Sequence, residues 1–211
     1  MMWGWASRVS LATVATVGWA ACLTGLSAGS VFRTLGIYGA VATVGLMVSD
    51  RRPTMELLAP NRRVIMTGVL GGVLTAIATH LGYAFTLWIW PSFAAQTRCL
   101  FAVFEALPGS AASLHWLVLI IVAEEVLWRG AWVTILGARW SVVAVVVPTI
   151  LYAIAQLASG LWLVGALALG CGLVWTVERL WTRSLLAPLI THLIWDLGVM
   201  VWIPIDIPGT C

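Results

Sequence analysis

The sequence contains no lysine; all eleven of its cations are arginine. Charge of either sign is scarce, at 9% of 211 residues, while apolar residues make up 62%. A soluble domain carries roughly 45–50% apolar and about 25% charged residues. A surface so poor in charge cannot be wetted, so lipid has to be the solvent. The scattered arginines form no basic stripe of the kind that nucleic acid requires, which excludes that partner class. A net charge of +3 is what cytoplasmic-loop arginines give a membrane protein, so no acidic partner follows from it. The four cysteines lack metal or redox spacing. Cys22 and Cys171 fall inside apolar runs and read as small buried thiols. Internal repeats, low-complexity tracts and linkers are also missing, so residues 1–211 read as a single integral membrane domain.

What is present is a series of hydrophobic runs. A spanning helix needs about 20 mostly apolar residues, within a range of about 17–25. Segments near 9–28, 34–49, 64–90, 113–137, 141–158, 161–177 and 185–203 meet or approach that length. The expectation is therefore an all-α, polytopic transmembrane helical bundle of about seven spans, with six to eight admissible. The second span is short, and the third is long enough to tilt or to break near Gly82. Arg8, the apolar run from Val9 and the small residues Ser27–Ser30 resemble a signal peptide. With six further hydrophobic segments, an uncleaved first helix is the expectation. Arg51, Arg52, Arg62 and Arg63 crowd one loop, which the positive-inside rule places in the cytoplasm. Alternation then puts Arg8, Arg139, Arg179 and Arg183 on that side, and Arg33 and Arg98 opposite. The N-terminus is expected to be cytoplasmic and the C-terminus outside, in a bacterial inner or cell membrane. The loop 91–112 is the sizeable polar stretch of the outer side.

Ionisable groups at membrane depth cost several kcal/mol unless paired, so each is a functional candidate. The fourth span reads Glu124-Glu125-Val126-Leu127-Trp128-Arg129-Gly130. Glu125 and Arg129, four apart, share a helix face and can pair. Glu124 lies about 100° around the helix and is left for other work. A carboxylate desolvated in an apolar cavity becomes a stronger base, which suits it to take a proton from water. The seventh span places His192 and Asp196 four apart on one face, at about the depth of Glu124. The fifth adds Tyr152 and Gln156, again four apart. Side chains that share a water site should lie within roughly 3–6 Å of one another or of a common point. Each feature alone has a bland reading, an ion pair or a packing histidine, but their joint occurrence favours a buried polar site. His115 lies about 180° and some 13 Å from Glu124 along the same helix, and it and His80 read as packing or interfacial residues.

These residues resemble a known family. Glu124-Glu125-x-x-x-Arg129-Gly130, followed by Thr182-Arg183-Ser184-Leu185-Leu186-Ala187-Pro188, His192 and Asp196, is similar to the CPBP family. These are the CAAX-processing and bacteriocin-processing (Abi) intramembrane proteases, and the resemblance covers about residues 113–200. It implies that Glu124 activates water, that Glu125 and Arg129 form the orienting pair and that His192 is the second catalytic group. Asp196 stands where the family has Asn or Asp. The family's middle motif, Phe-x-x-x-His, is here Tyr152-Ala153-Ile154-Ala155-Gln156. Gln156 thus replaces a histidine proposed to ligate metal or to assist the glutamate. An amide cannot serve as a base, but its NH2 can position groups or donate to an oxyanion.

The resemblance implies a membrane-embedded endopeptidase (a hydrolase) that cleaves a membrane-associated peptide or C-terminal signal by water activation. Nothing resembles a serine or cysteine nucleophile motif. No cofactor is expected, zinc being the possible exception, and the partners are a peptide or protein substrate and the lipid bilayer. The competing readings are a catalytically silent relative acting as a membrane binding or immunity factor, for which Gln156 speaks, and a proton relay or transporter. Cys99 and Cys211 share the outer face in this topology. An oxidising exterior would permit a bridge, although two cysteines carry no connectivity and two unpaired thiols are the expectation.

Overall fold

The computed structural model describes residues 4–24, 28–49, 55–105, 111–137 and 141–205. Among them there is no strand, and the chain is an all-α membrane bundle. Helix α1 covers Trp5–Leu23, α2 Ala28–Ser49, α3 Arg62–Ile89 and α4 Phe93–Glu105. Helix α5 is α-helical over Ala111–Glu124, π-helical over Glu125–Trp132 and α-helical again over Val133–Ile135. Helix α6 is Val142–Leu157 and α7 is Trp162–Thr182. Helix α8 is Leu186–Asp196, continued by a π-helical stretch Leu197–Trp202. Each expected hydrophobic segment is built around one of these helices. Among the described residues, four helices qualify outright as spans by length and composition, α1, α2, α3 and α7, with α6 and residues 186–202 as shorter apolar helices.

Three details depart from the sequence reading. The second span is not short, because its helix begins at Ala28 and runs 22 residues. Helix α3 continues through Gly82 for 28 residues, so of the two courses admitted for it, tilt or break, the break is absent. Nothing lies within 4 Å of where a Cβ would stand at Gly82, so no neighbour forces a kink there. The 91–112 stretch is not simply a loop, since α4 occupies much of it. Arg179 is not a loop residue: α7 runs on to Thr182, and Arg179 and its neighbour Glu178 are buried. Cys22 and Cys171 are free thiols and only half-buried. Cys211 lies outside the described residues, and with it the question of its pairing with Cys99.

Two packing devices place the site. The first is the seam between α3 and α8. Lipid tails are as apolar as leucine, so helices associate in membranes by close backbone approach at small residues. A Cβ added at Gly68 would stand 2.7 Å from Ile190 Cβ and 2.8 Å from the Ala187 carbonyl oxygen, and one at Gly72 2.6 Å from Ile194 Cβ. Across this seam Thr191 donates to the Gly68 carbonyl at 3.0 Å, and Trp195 Nε1 donates to Thr79 Oγ1 at 2.8 Å. The second device is the turn into α8. Arg183 closes α7 in the left-handed region (φ 55°). Ser184 Oγ then accepts from Leu186 N at 3.1 Å and donates to the Leu57 carbonyl at 3.0 Å. Pro188 falls in the first turn of α8, where a missing N–H costs little. The Arg-Ser-Leu-Leu-Ala-Pro run is thus the mounting for the helix that carries His192.

The seam predicts opposite effects for one substitution at two glycines. Gly72→Ala must displace Ile194 and is expected to destabilise by about 1–3 kcal/mol. Gly82→Ala meets open space and gains up to about 1 kcal/mol of helix propensity. Thermal unfolding in detergent checks this: Tm should fall for the first and hold or rise for the second.

Candidate active site

The side chains singled out in the sequence converge between α5, α6, α7 and α8. Glu124, Glu125, Arg129, Gln156, His192 and Asp196 are all less than 8% exposed. The two adjacent glutamates face different partners. Glu125 Oε1 accepts from Arg129 Nη1 at 3.1 Å and lies 2.9 Å from His192 Nδ1. Because that oxygen already accepts from the guanidinium, it acts as an acceptor toward the ring as well, and Nδ1 is the donor. In the neutral ring the proton is then on Nδ1, and Nε2 presents a lone pair. Nε2 lies 3.7 Å from Glu124 Oε2 and 3.6 Å from Asp196 Oδ2. Glu124 takes both its hydrogen bonds from α6: Tyr152 OH donates to Oε2 at 3.0 Å, and Gln156 Nε2 donates to Oε1.

Neighbouring glutamates diverge because successive helical residues lie about 100° apart, and a π-helical register begins at the second of them. The stretch begins at Glu125, and the second one begins directly after Asp196. A π turn closes i→i+5 bonds in place of i→i+4 and is frequent at functional sites. Both register changes therefore fall at or beside an acid of the site.

The walls are aromatic. Trp175 stacks on His192 with ring centroids 3.8 Å apart and planes 22° from parallel. The Arg129 guanidinium lies 4.6 Å over the Tyr152 ring and 5.0 Å over Trp175. Cation–π contact therefore shares in holding a charge that is fully buried. A cavity of about 220 Å³ opens in front of Glu124, Tyr152, Gln156, His192 and Asp196, its other walls coming mainly from apolar side chains such as Leu35, Leu117, Ile120 and Met200. Arg129 and Glu125 stand behind it. Neither His80 nor His115 lines it.

Several features escaped the sequence reading. Glu124 accepts two hydrogen bonds from α6 that local spacing does not show. Gln156 directs its amide at Glu124 and not into open cavity. Tyr152 was legible only as a residue four before Gln156, and Trp175, one tryptophan among fourteen, gave no signal at all. The Glu125–His192 bond crosses from α5 to α8 and has no counterpart in local spacing. Among the described residues no group of three or more His, Cys, Asp or Glu side chains is arranged to hold a metal ion. The residues present do not fit a zinc centre, which normally takes three well-placed protein ligands.

Residues 106–198 match the family described as type II CAAX prenyl endopeptidase Rce1-like. The match agrees with the resemblance read from Glu124 to Asp196, and at family level it supports a CAAX-type intramembrane protease. Among curated proteins and among solved structures, nothing matches the chain.

The two glutamates should respond differently to the same isosteric change. Glu125→Gln removes the charge that faces a fully buried guanidinium, a loss that costs about 3–5 kcal/mol when one partner of a buried pair is deleted. Glu124→Gln keeps an acceptor for Gln156 and can donate its new amide to the Tyr152 oxygen. Folded yield and thermal unfolding should drop sharply for Glu125→Gln and stay close to wild type for Glu124→Gln. Equal losses would contradict the division of labour.

Proposed function

We propose that the protein is a glutamate-type intramembrane endopeptidase that hydrolyses a peptide bond in a membrane-associated peptide or C-terminal signal. The observation that carries this reading is the pairing of Glu124 Oε2 and His192 Nε2, 3.7 Å apart at the wall of the cavity. Both atoms are acceptors in the resting arrangement, so a water between them can direct one hydrogen at each. That fixes its lone pair for attack. Glu124 takes the proton as the new C–O bond forms, and later delivers it to the leaving amine. His192 holds the water's second hydrogen, its ring oriented by Glu125 and braced by Trp175. Gln156 orients Glu124 through Oε1. Asp196 supports the site from the cavity wall, its Oδ2 3.6 Å from the same ring nitrogen. The attacking group is water itself, so no acyl-enzyme forms.

In this reading residues 1–211 form one membrane domain with the N-terminus in the cytoplasm, where the arginine-rich loop would lie. The substrate reaches the cavity from the bilayer or its surface. Bacteriocin-type peptides and C-terminal sorting signals fit this location. We further propose that no metal takes part, because Gln156, standing where relatives carry histidine, spends its amide on Glu124 instead of offering a ligand.

A second reading, a catalytically silent binding or immunity factor, draws on the same hydrogen bond. A carboxylate held by two donors is a weaker base than a bare one. Cleavage decides between them. Purified protein should cleave membrane-anchored peptides, Glu124→Gln should abolish cleavage while folding, and chelators should leave the wild-type rate unchanged. Gln156→His should be tolerated. A wild-type rate no higher than that of Glu124→Gln would favour the silent reading, and loss on chelation restored by zinc would overturn the metal-free proposal.

A further inference from the structure

We propose that Tyr152 is a further catalytic residue, whose hydroxyl donates to the oxyanion formed at the scissile carbonyl. The inference rests on the peptidase reading above and assigns the donor that the reading leaves open.

Its ground is the inventory of donors around the cavity. A tetrahedral intermediate needs a hydrogen-bond donor aimed at its oxyanion. His192 has committed Nδ1–H to Glu125 and shows a bare Nε2. Arg129, the cation of the site, is 0% exposed and held behind Glu125 and the Tyr152 ring. Trp195 Nε1 is spent on Thr79, and Trp175 Nε1 is itself wholly buried. Ser159 Oγ donates to the Gln156 carbonyl at 2.7 Å. Tyr152 and Gln156 remain, and they differ in the oxygen they serve. Gln156 binds Glu124 Oε1, whereas Tyr152 binds Oε2, the oxygen nearer His192 and the one that receives the proton.

This selects Tyr152. When water gives its proton to Oε2, that oxygen becomes a donor and loses its claim on the tyrosine hydrogen. In the same step the attacked carbonyl oxygen gains negative charge. The phenol O–H is released from Glu124 as the oxyanion appears, and its rotation transfers the hydrogen bond from one to the other. No proton leaves Tyr152. On collapse the proton on Glu124 goes to the leaving nitrogen, the C–N bond breaks and the hydroxyl returns to Oε2. The ring is fixed for this rotation. Arg129 lies over its face, and a Cβ at Gly172 would crowd it at 3.0 Å, so the glycine makes room for it.

The test compares wild type, Tyr152→Phe and Tyr152→4-aminophenylalanine. Phenylalanine keeps the ring under Arg129, so the variant should fold. Its kcat should fall about 10²–10³-fold, the usual cost of one oxyanion donor, with KM little changed. Affinity for a peptidyl trifluoromethyl ketone, whose hydrate mimics the tetrahedral intermediate, should fall by a similar factor. The amino-substituted ring retains a donor and should recover much of the rate. An unchanged kcat in Tyr152→Phe overturns the inference, as does equal loss of affinity for peptide and ketone. If Tyr152→Phe fails to fold, the amino variant decides: folding with no recovery above Glu124→Gln also overturns it. Wild-type protein that cleaves nothing would instead overturn the peptidase reading, which separates the two failures.

Discussion

A fully buried arginine is the constraint from which the arrangement of the site follows. A guanidinium at membrane depth has to be met by a countercharge and by polarisable surfaces. Glu125 supplies the charge, and the faces of Tyr152 and Trp175 supply the surfaces. Once Glu125 is committed, its remaining capacity goes to His192, and that bond sets which ring nitrogen carries the proton. The neighbouring Glu124 is thereby left to the cavity. One structural ion pair therefore determines the roles proposed for two candidate catalytic groups. This ordering also accounts for the aromatic wall, since the ring that braces His192 is one of those that shield Arg129.

The scaffold delivers these groups by register and close approach more than by surface chemistry. Helix α8 lies in contact with α3 because glycines remove the side chains between them, and Thr191 and Trp195 pin it there on either side of His192. Helix α6 brings Tyr152 and Gln156 to Glu124 from the opposite side. Consecutive side chains at Glu124 and Glu125 face different partners because they stand about 100° apart on the helix, and π-helical stretches begin at Glu125 and directly after Asp196.

Much of this was legible in the sequence, for specific reasons. Seven hydrophobic segments were visible because spanning helices have to be apolar throughout. The Glu125–Arg129 and His192–Asp196 pairings were visible because i, i+4 neighbours share a face. What spacing does not carry is contact between helices, so the Glu125–His192 bond, the Tyr152 donation and the Trp175 stack were missed. The π turns were missed because nothing in Glu-Val-Leu-Trp-Arg-Gly distinguishes them from an α-helix. The course of α7 past residue 177 was misjudged because Glu178 and Arg179 resemble loop residues; in the structure Glu178 is buried, its Oε1 2.8 Å from Thr191 Oγ1. Whether α3 would break was left open because Gly82 bears no mark that separates it from Gly72.

The most direct test of the central claim is a thermodynamic double-mutant cycle across the buried pair, with Glu125→Gln, Arg129→Met and the two combined, read by reversible unfolding in detergent. If Arg129 dictates the commitment of Glu125, each single change strands a buried partner and the double change does not. The expected coupling is about 3–5 kcal/mol, the cost of stranding one partner of a buried pair, with the double variant no less stable than Glu125→Gln alone. Additive losses, with the double variant as weak as both single changes together, would contradict it.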